Sequence, residues 1–153
     1  MGSEHRYRAR CAWTGSTAAG YDAYDRAHHA ACPPAEAALA LSGDPAFRGD
    51  AALLNPEQLL VLAASSCQLL SFLAIASRSE IDVLSYEDDA EAIMPEDEKP
   101  VRITRITLRP RIVVAAGADI ERVLRVVDKA HHECYIANSL TSEVTLEPTV
   151  EIG

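Results

Sequence analysis

Lysine is nearly missing from this chain: Lys99 and Lys129 are the only two, and 14 basic residues face 23 acidic ones for a formal net charge of −9. Nucleic-acid binders neutralise phosphates with a basic face, and no Lys/Arg cluster exists here to form one. The same shortage argues against docking on an anionic membrane surface. Aromatic residues are scarce at 5%, so a core must be aliphatic, and the 48% apolar content is enough to build one. Glycine-rich phosphate loops are absent, since Gly43, Gly49 and Gly117 stand alone. A nucleophile-elbow pattern is missing too. Four cysteines (Cys11, Cys32, Cys67, Cys134) are too few for a disulfide scaffold and suit redox chemistry, metal binding or plain packing. No internal repeat stands out. The polar stretch Met1 to Arg10 carries no apolar h-region, and Arg6 occupies the position where a myristoylation signal needs Ser or Thr. The expectation is a cytoplasmic protein of one domain over residues 1–153, a size that buries about 68–70% of its unfolded surface without staples.

What is present begins with strand character over His5–Thr14, a turn at Thr14-Gly15-Ser16 and a partner strand over Tyr21–His29. The segment to Leu54 is irregular apart from a strand near Ala37–Leu41. Asn55-Pro56-Glu57-Gln58 is a helix start: Asn is a favoured N-cap, Pro is pre-organised at the first helical position, and Glu57 suits the positive helix end. The helix is expected to run to about Ser79. From Leu59 to Ala76 it is apolar nearly all round, yet Ser65-Ser66-Cys67-Gln68 and Ser71 make it short and wet for a membrane span. Such a helix belongs inside something larger, and for this chain length a dimer is expected. Ile81–Met94 and Val101–Val114 read as a long hairpin across Pro95–Pro100. Gly117-Ala118-Asp119 opens a second helix with Ile120, Val123, Leu124, Val127 and Ala130 as its apolar stripe. A short helix near Cys134–Ser139 and a strand over Val144–Ile152 follow. The order is that of an α+β protein with mostly antiparallel sheets.

Two cysteines sit where chemistry is feasible. Cys67 lies inside the long helix, where a cysteine serves either as a small core hydrophobe or as a nucleophile. Cys134 follows the second helix and opens a short one, where backbone N–H groups lower a thiol pKa, or else it is a loop cysteine without a role. A thiolate in a helix interior needs a cation nearby; Arg26 and Arg48 are the candidates, Arg26 being preferred. Arg102, Arg105, Arg109 and Arg111 read as solvated strand-face charges. His131, His132 and Cys134, or His28, His29 and Cys32, contain metal-ligand types without the paired spacing of a structural zinc site.

Taken together, Asn55-Pro56-Glu57-Gln58-Leu59-Leu60, Ser66-Cys67 on the same helix, and Ala130-His131-His132-Glu133-Cys134 with Asn138-Ser139 resemble the OsmC/Ohr family of thiol peroxidases. Tyr24-Asp25-Arg26-Ala27-His28, Gly49-Asp50 and Ser85-Tyr86-Glu87-Asp88-Asp89-Ala90 are more similar to its OsmC-like branch, and the likeness runs from Trp13 to Pro148. The resemblance implies an intertwined homodimer with mostly antiparallel sheets wrapped around a long central helix. It implies cofactor-free reduction of organic hydroperoxides and hydrogen peroxide by a redox-active cysteine in an oxidative stress response. Cys67 would be the peroxidatic thiolate and Cys134 the resolving thiol, while Glu57 and Arg26 would position and activate Cys67. A dithiol, lipoyl-bearing or other, would be the reductant. Two positions depart from the family pattern: Tyr135 follows the second cysteine where Pro is frequent, and Gln68 follows the first where the OsmC-like branch often has His. Cys11 and Cys32 fall outside the pattern and read as structural.

Two other functions fit the same residues: an OsmC-fold stress protein that binds or scavenges without turnover, and a metal-binding protein using His131, His132 and Cys134. The helix adds a geometric constraint. Glu57 and Cys67 stand about 15 Å apart along one helix axis, at 1.5 Å per residue. A glutamate cannot span that distance, so its service to Cys67 requires an intermediary such as Arg26 or the Glu57 of a second copy.

Overall fold

The long helix forms where its start signal lies. Asn55 Oδ1 accepts from the Gln58 N–H at 2.8 Å and Gln58 Oε1 accepts from the Asn55 N–H at 3.0 Å. This reciprocal capping box satisfies two otherwise orphaned donors. Helix α1 then runs over Pro56–Arg78. The structure is a computed structural model and describes residues 2–153; Met1, part of the N-terminal stretch read above, lies outside them. The fold is α+β, and its internal contacts group into two compact units that meet in sequence between Leu59 and Leu60.

The first unit holds a three-stranded antiparallel sheet of β1 (Arg10–Ala12), β2 (His28–Ala31) and β3 (Ala38–Leu41), in that order. Strand β1 is shorter than expected, and Tyr21–Asp25 forms no strand. Those residues fold into a turn whose carbonyls are taken by side chains instead of a ladder. Trp13 Nε1 donates to Asp25 O at 2.8 Å, and Arg26 donates to Tyr24 O at 2.8 Å and to Tyr21 O at 2.7 Å. Cys11 and Cys32 are exposed, which overturns their reading as structural: β1 buries none of its residues, so Cys11 on it has no core to join. The Gly49-Asp50 element has a steric reason, because a Cβ at Gly49 would sit 1.7 Å from the Gly43 carbonyl oxygen.

The second unit contains the body of α1 and the long hairpin. That hairpin is broken into β4 (Val83–Asp88), β5 (Glu91–Ile93), β6 (Arg105–Leu108) and β7 (Pro110–Val114). Asp88 marks the break: its carboxylate accepts from the Arg109 N–H at 2.6 Å and from Ser65 Oγ of α1 at 2.5 Å. Pro110 has no N–H to continue the ladder. Helix α2 (Ile120–His132) starts at Asp119, whose side chain accepts from Arg122 N, just after Gly117 at φ +89°. The C-terminal stretch gives two strands instead of one, β8 (Glu143–Leu146) and β9 (Thr149–Ile152), separated at Glu147-Pro148. They pair in parallel with β6 and β7, making sheets of order β5-β6-β8 and β4-β7-β9.

Phe72, Ile75 and Ala76 of α1 pack with Ile112 and Val114 of β7 and with Val123, Val127 and Ala130 of α2. Each fully buried aliphatic side chain contributes about 1.5–3 kcal/mol. The α2 stripe includes Val126, while Ile120 at its end is exposed, one step away from the expected set. The arginines of β6 and β7 are exposed and paired across strands: Arg105 with Glu143, Arg109 with Glu91 and Glu147, and Arg111 with Glu151. Helix α1 is long and apolar enough to cross a membrane by length and composition, and only 28% of its most apolar window is buried within this chain. Leu62 and Leu70 are 58% and 64% exposed.

Candidate active site

Within the second unit, Cys67 is half-buried on α1 and Cys134 is 1% exposed in the turn after α2. Both are free thiols, and Cys67 is near enough to the Cys134 thiol to raise its pKa. The element order explains the approach. Gln68, next to Cys67, donates from Nε2 to the Val127 carbonyl of α2 at 3.2 Å, and that tie holds the two helices together about one turn before Ala130 and two before Cys134.

Burial pushes the Cys134 thiol above its ordinary value, and the neighbouring Cys67 adds to the rise. The backbone N–H groups of Ala137 and Ile136 act in the opposite direction, as expected for a short helical turn over Ala137–Ser139, but burial outweighs them. The expected lowering of this thiol is therefore reversed. Desolvating a thiolate costs more than two backbone dipoles return. Tyr86 of β4 is raised far above the usual phenol range, first by burial and then by Asp88 and Cys134. Its hydroxyl is buried without a hydrogen-bond partner, as is Gln68 Oε1.

A cleft of about 490 Å³ opens beside Cys67. Leu70, Ala74 and Ile75 form an apolar wall, Tyr135 and Asn138 face it, and Arg78 and Glu133 supply charge. Such a cleft admits a small apolar molecule to a half-exposed sulfur. Arg78 was missed in the sequence, although it lies three helical turns beyond Cys67 on the same face, a spacing that could have exposed it.

Of the other residues singled out, Arg26 lies in the first unit. Its guanidinium stacks over the Tyr24 ring at 4.0 Å and the Tyr21 ring at 4.7 Å while donating to both residues' carbonyls. Arg48 is exposed and pairs with Asp22 at 3.1 Å. Glu57 is half-buried in the first turn of α1. Among the described residues no group of three or more His, Cys, Asp or Glu side chains is arranged to hold a metal ion. His131 is shifted toward its neutral form, by burial first and by His132 second.

A helix-borne cysteine meeting a buried second cysteine, in an α+β frame of antiparallel hairpins closed by parallel C-terminal strands, defines a class of dithiol protein. Comparison with known proteins gives the family. The OsmC-like protein family matches residues 49–149, more than half of the chain, and the chain belongs to that family. An OsmC-like protein of unknown function from Vibrio cholerae superposes with a TM-score of 0.86 at 28% identity, covering 95% of this chain and 100% of that one. An organic hydroperoxide resistance protein from Legionella pneumophila shares the fold with a TM-score of 0.72 at 17% identity, covering 98% and 99%. The uncharacterized protein YmaD of Bacillus subtilis is 25% identical over 104 residues, 65% of this chain and 69% of that one.

Proposed function

We propose that this chain is a cofactor-free thiol peroxidase that reduces organic hydroperoxides and hydrogen peroxide through Cys67 and Cys134. The observation that carries the reading is a cleft with an apolar wall beside the half-buried Cys67, with a buried second thiol, Cys134, in the turn after the helix that Gln68 ties to α1. The Cys67 thiolate attacks the distal peroxide oxygen, the O–O bond breaks, and the alkoxide leaves as the alcohol after taking a proton. Cys67 is then a sulfenic acid. Cys134 displaces its hydroxyl as water and forms the disulfide, which an external dithiol reduces. The raised pKa keeps Cys134 protonated, and so unreactive toward peroxide, until the sulfenic acid is presented to it.

The family likeness assigns Arg26 the stabilisation of the Cys67 thiolate and of the departing alkoxide, with Glu57 as its orienting partner. Arginine stays charged at any working pH. Support for Arg26 over Arg48 comes from its fixed guanidinium, held by two carbonyls and two rings. The leucines exposed on α1 support a homodimer, in which a second copy covers them. The net charge of −9 fits a soluble protein, and a cytoplasmic location belongs to the same proposal. Two relatives of the same fold, from Legionella pneumophila and Bacillus subtilis, carry the name organic hydroperoxide resistance protein.

The test is consumption of an organic hydroperoxide with a dithiol reductant, on the wild type beside Cys67→Ser and Cys134→Ser. Loss of turnover in both, with sulfenic acid accumulating on Cys67 in Cys134→Ser, is expected. Undiminished peroxide consumption by Cys67→Ser would refute the reading, and a wild type that binds peroxide without consuming it would make the chain a scavenging module.

A further inference from the structure

Tyr135 follows Cys134 directly and is one of the two positions where the chain departs from the family pattern. It is 81% exposed, so its ring belongs to no core, yet the backbone beneath it is tied down. The Asn138 N–H donates to Cys134 O at 3.0 Å, Ser139 Oγ donates to Tyr135 O at 2.7 Å, and Asn138 Nδ2 donates to His132 O at 2.9 Å. The turn over Cys134–Ser139 therefore holds its shape while the aromatic side chain on it stays uncommitted. That side chain borders the cleft onto which Cys67 opens, together with Ala74 and Ile75 of α1. Ile75 is 7% exposed and belongs to the core that Phe72, Val123 and Val127 form, so the α1 wall of the cleft is rigid. One cleft thus joins a reactive sulfur, a fixed apolar wall and a free ring on a fixed turn.

Volume decides which peroxides can use both the wall and the ring. The cleft measures about 490 Å³, within the range of about 300–1,000 Å³ that takes small organic ligands. Hydrogen peroxide is roughly the size of two waters, at about 30 Å³ each, and leaves most of that space to solvent. A hydroperoxide with a bulky apolar body displaces the solvent and buries surface against Ile75 and the ring together. Tyrosine suits such a contact: its ring is large, its tip tolerates water, and only two side-chain torsions must be ordered. We propose that the Tyr135 ring closes on the apolar body of the bound hydroperoxide, making Tyr135 a specificity-determining residue that favours aryl-bearing hydroperoxides over hydrogen peroxide. The proposal rests on the peroxidase reading and names the substrate class for that site. The ring touches the part of the substrate remote from the O–O bond, so the contact is equal in the bound and transition states. It acts through KM and leaves the chemical step alone.

The test compares second-order rate constants for sulfenic acid formation on Cys67, followed by stopped flow in a Cys134→Ser background with cumyl hydroperoxide and with hydrogen peroxide. The ratio of the two constants is the readout. Tyr135→Ala should lower that ratio about 3- to 10-fold, the size expected for losing one aromatic contact, and Tyr135→Phe should keep it. With Cys134 intact and a dithiol reductant present, the loss for cumyl hydroperoxide in Tyr135→Ala should fall on KM and not on kcat. An unchanged ratio in Tyr135→Ala overturns the proposal. So does an equal fall with both peroxides, which would mean that the side chain acts on the thiol or on assembly instead of on the substrate. A phenylalanine variant as unselective as the alanine one overturns it too. Each of these results leaves the peroxidase reading standing. Absence of Cys67 sulfenic acid with either peroxide, in protein that keeps Tyr135, overturns both. Should the alanine variant fail to fold, Tyr135→Leu keeps apolar bulk without the aromatic face; it must lower the rate with cumyl hydroperoxide relative to tert-butyl hydroperoxide, and an unaltered ratio refutes the role.

Discussion

Gln68 offers the sharpest test of the packing beside the thiols, because it is a 0% exposed polar side chain with one hydrogen bond made and one oxygen unpaired. Two substitutions separate the effects. Gln68→Leu gives up the bond to Val127 O, worth about 1 kcal/mol, and removes a buried unpaired oxygen whose desolvation costs about 1–3 kcal/mol. Val127 lies inside α2, so its carbonyl keeps the helical ladder. The net expectation is a change between zero and about 2 kcal/mol in favour of the folded state. Gln68→Glu keeps the shape and adds a titratable carboxyl. Burial raises its folded pKa above the unfolded value of about 4.3. The folded state then holds the proton more tightly than the unfolded one. Stability is therefore intact below about pH 4.3 and falls by about 1.4 kcal/mol per pH unit until the folded pKa is reached. A rise of two units would cost about 3 kcal/mol by neutral pH. Urea melts of both variants and the wild type at several pH values between 4 and 8, followed by circular dichroism, read this directly. A Gln68→Glu protein whose stability tracks the wild type across that range, or a Gln68→Leu protein weaker by more than about 2 kcal/mol, would refute the burial argument.

Other outcomes follow from the same structure. Asn55→Ala removes half of the capping box that opens α1 and should cost about 1 kcal/mol in thermal or urea melts; no change would mean that the helix start is held by something else. Arg26→Ala should raise the pH at which Cys67 reacts with an alkylating probe, and an unshifted profile would move the role to Arg48 or abolish it. Sedimentation at low micromolar concentration should report a dimer; a stable, active monomer would remove the partner invoked for the exposed leucines of α1.

Much of the local architecture is written in short sequence signals. Asn55-Pro56-Glu57-Gln58 sets the start of α1 within a residue, since N-capping depends on side chains within one turn. Asp119 behaves the same way for α2. The hairpin pattern was equally local, because alternation reports which residues face inward whatever they face. What alternation could not report is where the ladder breaks. The split at Asp88–Arg109 depends on a hydrogen bond from Ser65, over twenty residues away in the chain. The parallel docking of β8 and β9 is likewise a long-range choice, which a run of apolar residues near Pro148 does not encode.

The two cysteines divide along the same line. Their spacing and neighbours marked them as a pair by family likeness, and the sequence by itself determined the helix that carries Cys67, the turn that carries Cys134 and the acidic, lysine-poor surface. Only the tertiary structure decided the character of each sulfur. Burial reversed the expected lowering of the Cys134 thiol, and packing of β4 on the Ser65–Phe72 stripe set the Tyr86 ring against Phe72. The physical reason is that capping and periodicity act over a few residues of chain, whereas desolvation is set by every atom that folds in around a group, whatever its place in the sequence.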